Sequence, residues 1–203
     1  MGTDPRARFA QVKTLRSAAY PSTVTTTPPP APLPVGWAIV ACFGNVLRAD
    51  DGVGAAVAHA LIDCPLPEGV VVMEVGIGGI HLVQELLRGD TDVLLIVDAV
   101  DLGRPAGTVV IQRPNILDVS TLSVNRRRDE LADMHLATPA RALMVALGLG
   151  VLPATTLIVG VQTTDTEEPR HGLSDITTRT VPVVVSEVQR LLTEHQAVAA
   201  API

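Results

Sequence analysis

The sequence predicts an α/β domain with a mixed, largely parallel β-sheet of five strands. Short apolar runs alternate with helical stretches along most of the chain, a pattern typical of parallel strands connected by helices. The connection between the third and fourth predicted strands, residues 101–107, has only about seven residues. Because a parallel crossover needs a dozen or more residues, the fourth strand is expected to run antiparallel, at an edge of the sheet.

Each predicted strand is a short apolar run of the kind that forms buried strands. The first run ends at Gly44, the third is the most apolar, and the fifth ends in Gly160-Val161-Gln162. The second is followed by Gly76-Ile77-Gly78-Gly79, which we interpret as part of a cleft rim. The five predicted strands cover residues 37–44, 70–75, 93–98, 108–112 and 156–161.

Four helices are predicted between and after these strands. The first is rich in Ala and Val, the second follows the glycine-rich segment, the third starts at Thr138-Pro139, and the last closes the chain. The four helices cover residues 52–63, 80–88, 138–147 and 183–196. The run Arg126-Arg127-Arg128 is interpreted as a solvated loop.

The first 35 residues differ in composition from the rest of the chain. They combine four basic residues and one acid with a Thr- and Pro-rich run at 25–34, which favours extended, solvated backbone and cannot bury a core. We therefore predict a flexible Pro/Thr-rich N-terminal tail over residues 1–35 and a single domain over residues 36–203.

Composition excludes several classes of function. The net charge is −6 and aromatic residues make up 2% of the chain, so a basic footprint and base-stacking surfaces for nucleic acid are both missing. No run approaches 18 uncharged apolar residues, and we expect no membrane insertion. The two cysteines, Cys42 and Cys64, do not make a disulfide scaffold, which favours a cytoplasmic protein.

Three acidic or imidazole side chains are expected at one end of the sheet. Asp51 follows the first strand, Asp98 ends the third, and His135 precedes the third helix. In open α/β sheets, ligands bind outside the carboxyl ends of the strands where the strand order reverses. If the first and third strands are neighbours and the second lies outside the first, Asp51 and Asp98 face each other across that crevice, within reach of His135.

Two carboxylates and one imidazole suit a borderline divalent ion such as nickel and leave positions open for water or substrate. Each residue also has a structural interpretation. Asp51 before a glycine is a common helix cap, Asp98 at a strand end is a common turn residue, and His135 alone is a common surface residue. The neighbouring acids Asp50 and Asp101 are candidates to orient the ligands, although capping a helix and shaping a turn are favoured for them.

Two segments of the sequence resemble the opening and central motifs of the hydrogenase maturation endopeptidases. The first is Gly44-Asn45-x-Leu47-x-x-Asp50-Asp51-Gly52-x-Gly54, and the second is Asp98-Ala99-x-Asp101-x-Gly103. His135 ahead of its helix and the ending of the fifth strand also match the family in order and spacing. The resemblance covers about residues 37 to 195.

The resemblance implies a specific function and fold. Members of this family remove a C-terminal extension from the NiFe-hydrogenase large-subunit precursor after nickel insertion, with the bound nickel as the recognition signal. The expected fold is a three-layer α/β/α sandwich, phosphorylase/hydrolase-like, around a five-stranded mixed sheet. The ligand roles carry over to Asp51, Asp98 and His135, and the nickel is carried by the precursor. Cadmium or zinc is expected to be able to occupy the same site in vitro.

The sequence departs from the family at three places. Asp51 stands where some members have the longer Glu, Thr163 follows the fifth strand where Pro is frequent, and the N-terminal tail has no counterpart in the family pattern. No Ser-His-Asp or Cys-His pair with a compelling context is visible, so the nucleophile stays undetermined.

Other functions fit parts of the same pattern. A response-regulator receiver domain also has an acidic pair after the first strand, but it needs a lysine after the fifth strand, and the single lysine here is Lys13. A non-cleaving, nickel-dependent chaperone or binding module for the precursor would use the same three ligands. A diverged peptidase acting on another protein is the third alternative.

Overall fold

The structure is a computed structural model that describes residues 37–89, 91–132 and 138–199. The predicted tail and His135 therefore lie outside the described residues. Within these ranges there are five strands, β1 Ala38–Phe43, β2 Val70–Gly76, β3 Val93–Val100, β4 Val109–Gln112 and β5 Thr155–Gln162. Five α-helices accompany them, α1 Val53–Ile62, α2 Gly79–Leu86, α3 Val124–Ala132, α4 Pro139–Gly148 and α5 Asp175–Ala199. Short 3₁₀ turns occupy Ala49–Gly52 and Val119–Thr121.

The sheet has the predicted mixed topology. Its strand order is β2-β1-β3-β5-β4, with β1, β2, β3 and β5 parallel and β4 antiparallel to β5 at an edge. The strand order reverses between β1 and β3, since the chain passes from β1 outward to β2 and then to β3 on the other side. This topology places the expected ligand-binding crevice at the carboxyl ends of β1 and β3.

Helices cover both faces of the sheet, so the fold is a three-layer α/β/α sandwich. Helices α1 and α5 pack against each other on one face, and α2 and α4 pack on the other. Alternate residues of β1 point to opposite faces, as the pleat of a strand requires. Val40 and Cys42 belong to the core under α1 and α5, whereas Ile39 and Phe43 belong to the core under α2 and α4.

The sequence did not predict helix α3. Residues 126–128, interpreted as a solvated loop, lie within this helix. Arg127 donates from Nε to the carbonyl of Val119 at 2.9 Å and from a terminal nitrogen to the carbonyl of Ser120 at 2.9 Å. The helix escaped prediction because its sequence, VNRRRDELA, has no apolar face that repeats with a helical period.

Helix α5 starts at Asp175, eight residues earlier than predicted. Pro182 lies inside it and would ordinarily mark a helix boundary, because proline removes a backbone hydrogen bond. The apolar face that includes Val184, Val188 and Leu192 is fully buried, and this burial outweighs the local cost of the proline. None of the helices within the described ranges combines the length and apolar character that crossing a bilayer requires.

Glycine permits the close contact between β1 and the start of α1. A Cβ atom at Gly54 would lie 1.9 Å from the carbonyl oxygen of Phe43, and one at Gly44 would lie 1.8 Å from the carbonyl oxygen of Asp51. Gly44 also has a φ of 127°, which favours glycine. These two glycines let the chain fold back directly onto the end of β1.

We predict that Gly54→Ala strongly destabilises the protein, by roughly 3 kcal/mol or more, because the new methyl group overlaps backbone that cannot move aside. Urea unfolding of the full chain measures the effect. Gly148→Ala in α4 is the matched control, because its added Cβ would meet Val119 at an ordinary 3.6 Å. Equal stability of the two variants would contradict the proposed contact.

Candidate functional site

A cleft with a volume of about 370 Å³ opens at the carboxyl ends of β1 and β3. Its walls come from the loop after β1, the loop after β2, the end of β3 and the start of α4. The residues that line it are Phe43, Gly44, Asn45, Arg48, Asp51, Gly76, Ile77, Asp98, Thr138 and Pro139. The structure thus brings Asp51 and Asp98 into one cleft, and the glycine-rich segment after β2 contributes to its rim as predicted.

Asp51 belongs to the 3₁₀ turn that follows β1. Its side chain is half-buried, and its Oδ2 accepts a hydrogen bond of 2.8 Å from the backbone N–H of Asn45. Burial raises the pKa of the Asp51 carboxyl, the Asn45 N–H and the nearby Arg48 oppose that shift, and Glu167 adds to it. The resulting pKa lies above the ordinary value for aspartate.

Asp98 lies near the end of β3, where it pairs in register with Gly160 of β5. Its Oδ1 accepts a hydrogen bond of 3.0 Å from the backbone N–H of Ala99. Burial and the charge of Asp51 raise the pKa of the Asp98 carboxyl to about 7, and the Ala99 N–H only partly opposes them. Two carboxylates in one cleft, one of which raises the pKa of the other, make a site that a cation would stabilise.

Asp50, next to Asp51, has an opposite environment. It is completely buried, and its carboxylate accepts hydrogen bonds from Ser174 N–H at 2.6 Å, Ser174 Oγ at 2.9 Å and Thr164 Oγ1 at 3.0 Å. Burial acts to raise the pKa of Asp50, but these donors and Thr177 lower it below its ordinary value. Asp50 therefore joins the loop after β1 to the loop after β5 and to the start of α5, rather than capping α1.

Backbone hydrogen bonds reinforce this junction. The N–H of Ala49 donates to the carbonyl of Arg170 at 2.7 Å, that of Asp50 donates to Asp165 at 3.0 Å, and that of Arg170 donates to Leu47 at 3.1 Å. Ala49 has a φ of 45°, a left-handed conformation that costs a residue with a side chain roughly 1–2 kcal/mol. The surrounding bonds hold this strained turn and so fix the position of Asp51.

Asp101 does not line the main cleft, but it lines a neighbouring pocket together with Asp51. It is exposed, and its Oδ1 accepts hydrogen bonds from Gly103 N–H at 3.2 Å and from Gln162 Nε2 at 3.3 Å. Gln162 is buried, and its Oε1 accepts from Leu102 N–H at 2.7 Å. These hydrogen bonds join Asp101 and Gln162 to the turn after β3.

The third predicted ligand, His135, lies outside the described residues. It stands three positions before Thr138, which lines the cleft. Within the described ranges, no group of three His, Cys, Asp or Glu side chains could hold a metal ion. Asp51 and Asp98 supply two oxygen donors in one cleft, and an imidazole would complete the set that nickel and zinc accept.

Sequence reasoning missed Arg48 in the cleft and Ser174 beneath it. Arg48 occupies a variable position of the opening motif, so the motif gave no reason to select it. Ser174 directly precedes α5 and bonds to Thr177, three residues later, at 3.2 Å. A serine ahead of a helical pattern is a helix-start signal that could have identified it, but the predicted helix began only after Pro182.

The fold and the cleft define a three-layer α/β/α protein with a paired-carboxylate site at the switch point of its sheet. Residues 56–191 match the sequence model of a family described as hydrogenase maturation protease. The chain therefore belongs to the hydrogenase maturation protease family.

Individual relatives agree with this assignment. The hydrogenase expression/formation protein HupM of Azotobacter chroococcum mcd 1 is 31% identical over 131 residues, which cover 62% of this chain but only 57% of that protein. HoxM of Azotobacter vinelandii is 29% identical over 164 residues, 78% of this chain and 73% of that protein. The hydrogenase maturating endopeptidase HybD from E. coli has a similar structure, with a TM-score of 0.60, 25% identity, and coverage of 78% of this chain and 93% of HybD.

We predict that Asp98→Asn stabilises the protein at neutral and alkaline pH. The folded-state pKa of Asp98, about 7, exceeds the ordinary value of 3.8. The protonated carboxyl therefore makes its full contribution to stability below about pH 4, and this contribution is lost as pH rises from there through 7. The variant escapes this loss and keeps the acceptor for Ala99. In chelator, its free energy of unfolding should exceed that of wild type by about 2–4 kcal/mol at pH 8 and by almost nothing at pH 4. A pH-independent difference would contradict the prediction.

We predict that Asp50→Ala lowers the free energy of unfolding by about 3 kcal/mol, because it leaves the donors of Ser174 and Thr164 without their buried acceptor. Thermal and urea unfolding at pH 7 measure the loss. Asp175→Ala, which removes an exposed carboxylate from the first turn of α5, should cost 1 kcal/mol or less. Comparable losses for both variants would show that Asp50 does not join the two loops.

Proposed function

We propose that this protein is an endopeptidase that removes the C-terminal extension of the NiFe-hydrogenase large-subunit precursor after nickel insertion. The nickel carried by the precursor is the recognition signal, and Asp51, Asp98 and His135 are the residues that bind it. The observation that carries the proposal is the meeting of Asp51 and Asp98 in one cleft, close enough for the charge of one to raise the pKa of the other.

The electrostatics of the cleft support a cationic ligand. Keeping two carboxylates together in a partly buried cleft costs stability, and such a cost is typical of functional sites. A divalent ion on the substrate would neutralise both charges and fix the precursor against the cleft. Carboxylate and imidazole donors leave further coordination positions to the precursor's own ligands and to water.

The cytoplasm is the proposed location, since the chain has only two cysteines and both are free thiols, Cys42 and Cys64.

Cys42 is buried, and burial raises the pKa of its thiol to about 12, which removes it as a nucleophile at neutral pH. The hydrolytic step is therefore not assigned to this thiol.

A cleavage assay tests the proposal. Purified protein is incubated with the nickel-loaded precursor, and the precursor's intact mass is measured over time. Loss of a C-terminal peptide is expected with wild type and with nickel, and cleavage should fall at least 100-fold in Asp51→Ala, Asp98→Ala and His135→Ala, since each removes a donor from the shared set. Asp92→Asn and His195→Ala, which alter residues that do not line the cleft, are the matched controls and should cleave normally.

The outcomes separate the candidate functions. Tight, nickel-dependent binding with an unchanged precursor mass would favour the non-cleaving chaperone. Cleavage that does not depend on nickel would contradict the recognition signal while preserving the peptidase. If the precursor is neither bound nor cut, the proposed substrate is wrong.

A further inference from the structure

Arg48 is the one cation among the described residues that line the cleft. It stands in the loop that carries Asp51, and its positive charge acts on the Asp51 carboxyl. Its guanidinium forms an ion pair with Glu167 from the loop after β5. A cation beside two carboxylates cannot serve to attract a metal ion, so its place in the cleft needs another explanation.

The ion pair with Glu167 contributes little to holding the two loops together. The Arg48 and Glu167 side chains are 43% and 81% exposed, and exposed pairs of this kind contribute little to stability. The same two loops are already joined by the buried carboxylate of Asp50 and by three backbone hydrogen bonds. Breaking the pair should therefore leave the fold and the position of Asp51 intact.

The pair does show what the guanidinium can bind. Arginine presents several N–H donors in a planar fork that matches the geometry of a carboxylate. Glu167 supplies that carboxylate within the chain, from a side chain that water surrounds. Another carboxylate entering the cleft could replace it at little energetic cost.

We propose that Arg48 is a specificity-determining residue that binds a carboxylate of the protein substrate, and that this carboxylate displaces Glu167. The inference rests on the proposed function, because it requires a peptide in the cleft. The ligand is an Asp or Glu side chain near the cleaved bond or the C-terminal carboxylate of the extension. Because Arg48 is the one cation among the described residues that line the cleft, its pairing with that carboxylate fixes the register of the peptide.

The assignment predicts opposite effects of two substitutions. Arg48 and Glu167 also act in opposite directions on the Asp51 carboxyl, so the substrate changes described below separate the two causes. If Arg48 binds the substrate and Glu167 competes for it, Arg48→Gln should raise KM and the Kd for the precursor about tenfold, with kcat nearly unchanged. Glu167→Gln should lower both constants about two- to fivefold. Arg48→Lys keeps the charge but loses the fork, and should give intermediate values. If the pair merely holds the loops, Arg48→Gln and Glu167→Gln break the same contact and should act in the same direction.

A neighbouring ion pair provides the matched control. Arg170 and Glu168 lie in the loop after β5, pair at 3.2 Å, and have exposed fractions of 39% and 59%. Neither side chain lines the cleft. Arg170→Gln and Glu168→Gln should therefore leave KM and Kd within twofold of wild type.

Changes in the substrate identify the source of the carboxylate. Each Asp or Glu within about ten residues of the cleavage site is changed to its amide, and a separate precursor carries a short Gly-Ser extension that moves its C-terminal carboxylate away. Removal of the carboxylate that binds Arg48 should raise the KM of the wild-type enzyme about tenfold. With that substrate, the KM values of wild type and Arg48→Gln should no longer differ.

Three results would overturn the assignment: effects in the same direction for Arg48→Gln and Glu167→Gln, no change for either, or no substrate change that removes the difference. If wild type binds the precursor without cutting it, the Kd values decide the matter alone. If wild type neither binds nor cuts, the proposed function fails, and this assignment fails with it.

Discussion

The buried carboxylate of Asp50 is the constraint on which the geometry of the cleft depends. It accepts hydrogen bonds from Ser174 and Thr164, which belong to a part of the chain more than one hundred residues away. A buried charge is costly unless donors satisfy it, so the loop after β1 can take its observed course only when the loop after β5 and the start of α5 are in place. The strained Ala49 before Asp50 and Asp51 after it are thereby held against the end of β1.

The aspartate side chains at and beneath the cleft differ in pKa because their surroundings differ. Hydrogen-bond donors lower the pKa of Asp50 and stabilise its charge, whereas burial raises the pKa of Asp51 and, more strongly, that of Asp98. The first acid stabilises the fold at neutral pH. The Asp98 charge opposes folding, and a cation bound beside it would relieve that cost.

The cleft combines a rigid frame with an exchangeable contact. Two glycines bring the loop onto β1, and the Asp50 junction fixes it from below. At the rim, the exposed Arg48–Glu167 pair is weak enough to open without disturbing that frame. Under the proposed function, a carboxylate of the substrate would replace Glu167 at the rim while Asp51 and Asp98 keep their positions.

The sequence by itself determined the fold class and the antiparallel edge strand, and it predicted that Asp51 and Asp98 lie at the same edge of the sheet. These follow from local periodicity, from a connection too short for a parallel crossover, and from the rule that parallel strands place their carboxyl ends at one edge. The role of Asp50, the early start of α5 and the entry of Arg48 into the cleft were decided only by the tertiary structure. Each depends on partners distant in sequence, and burial against those partners overrode local signals such as Pro182 and the helix-capping preference of aspartate.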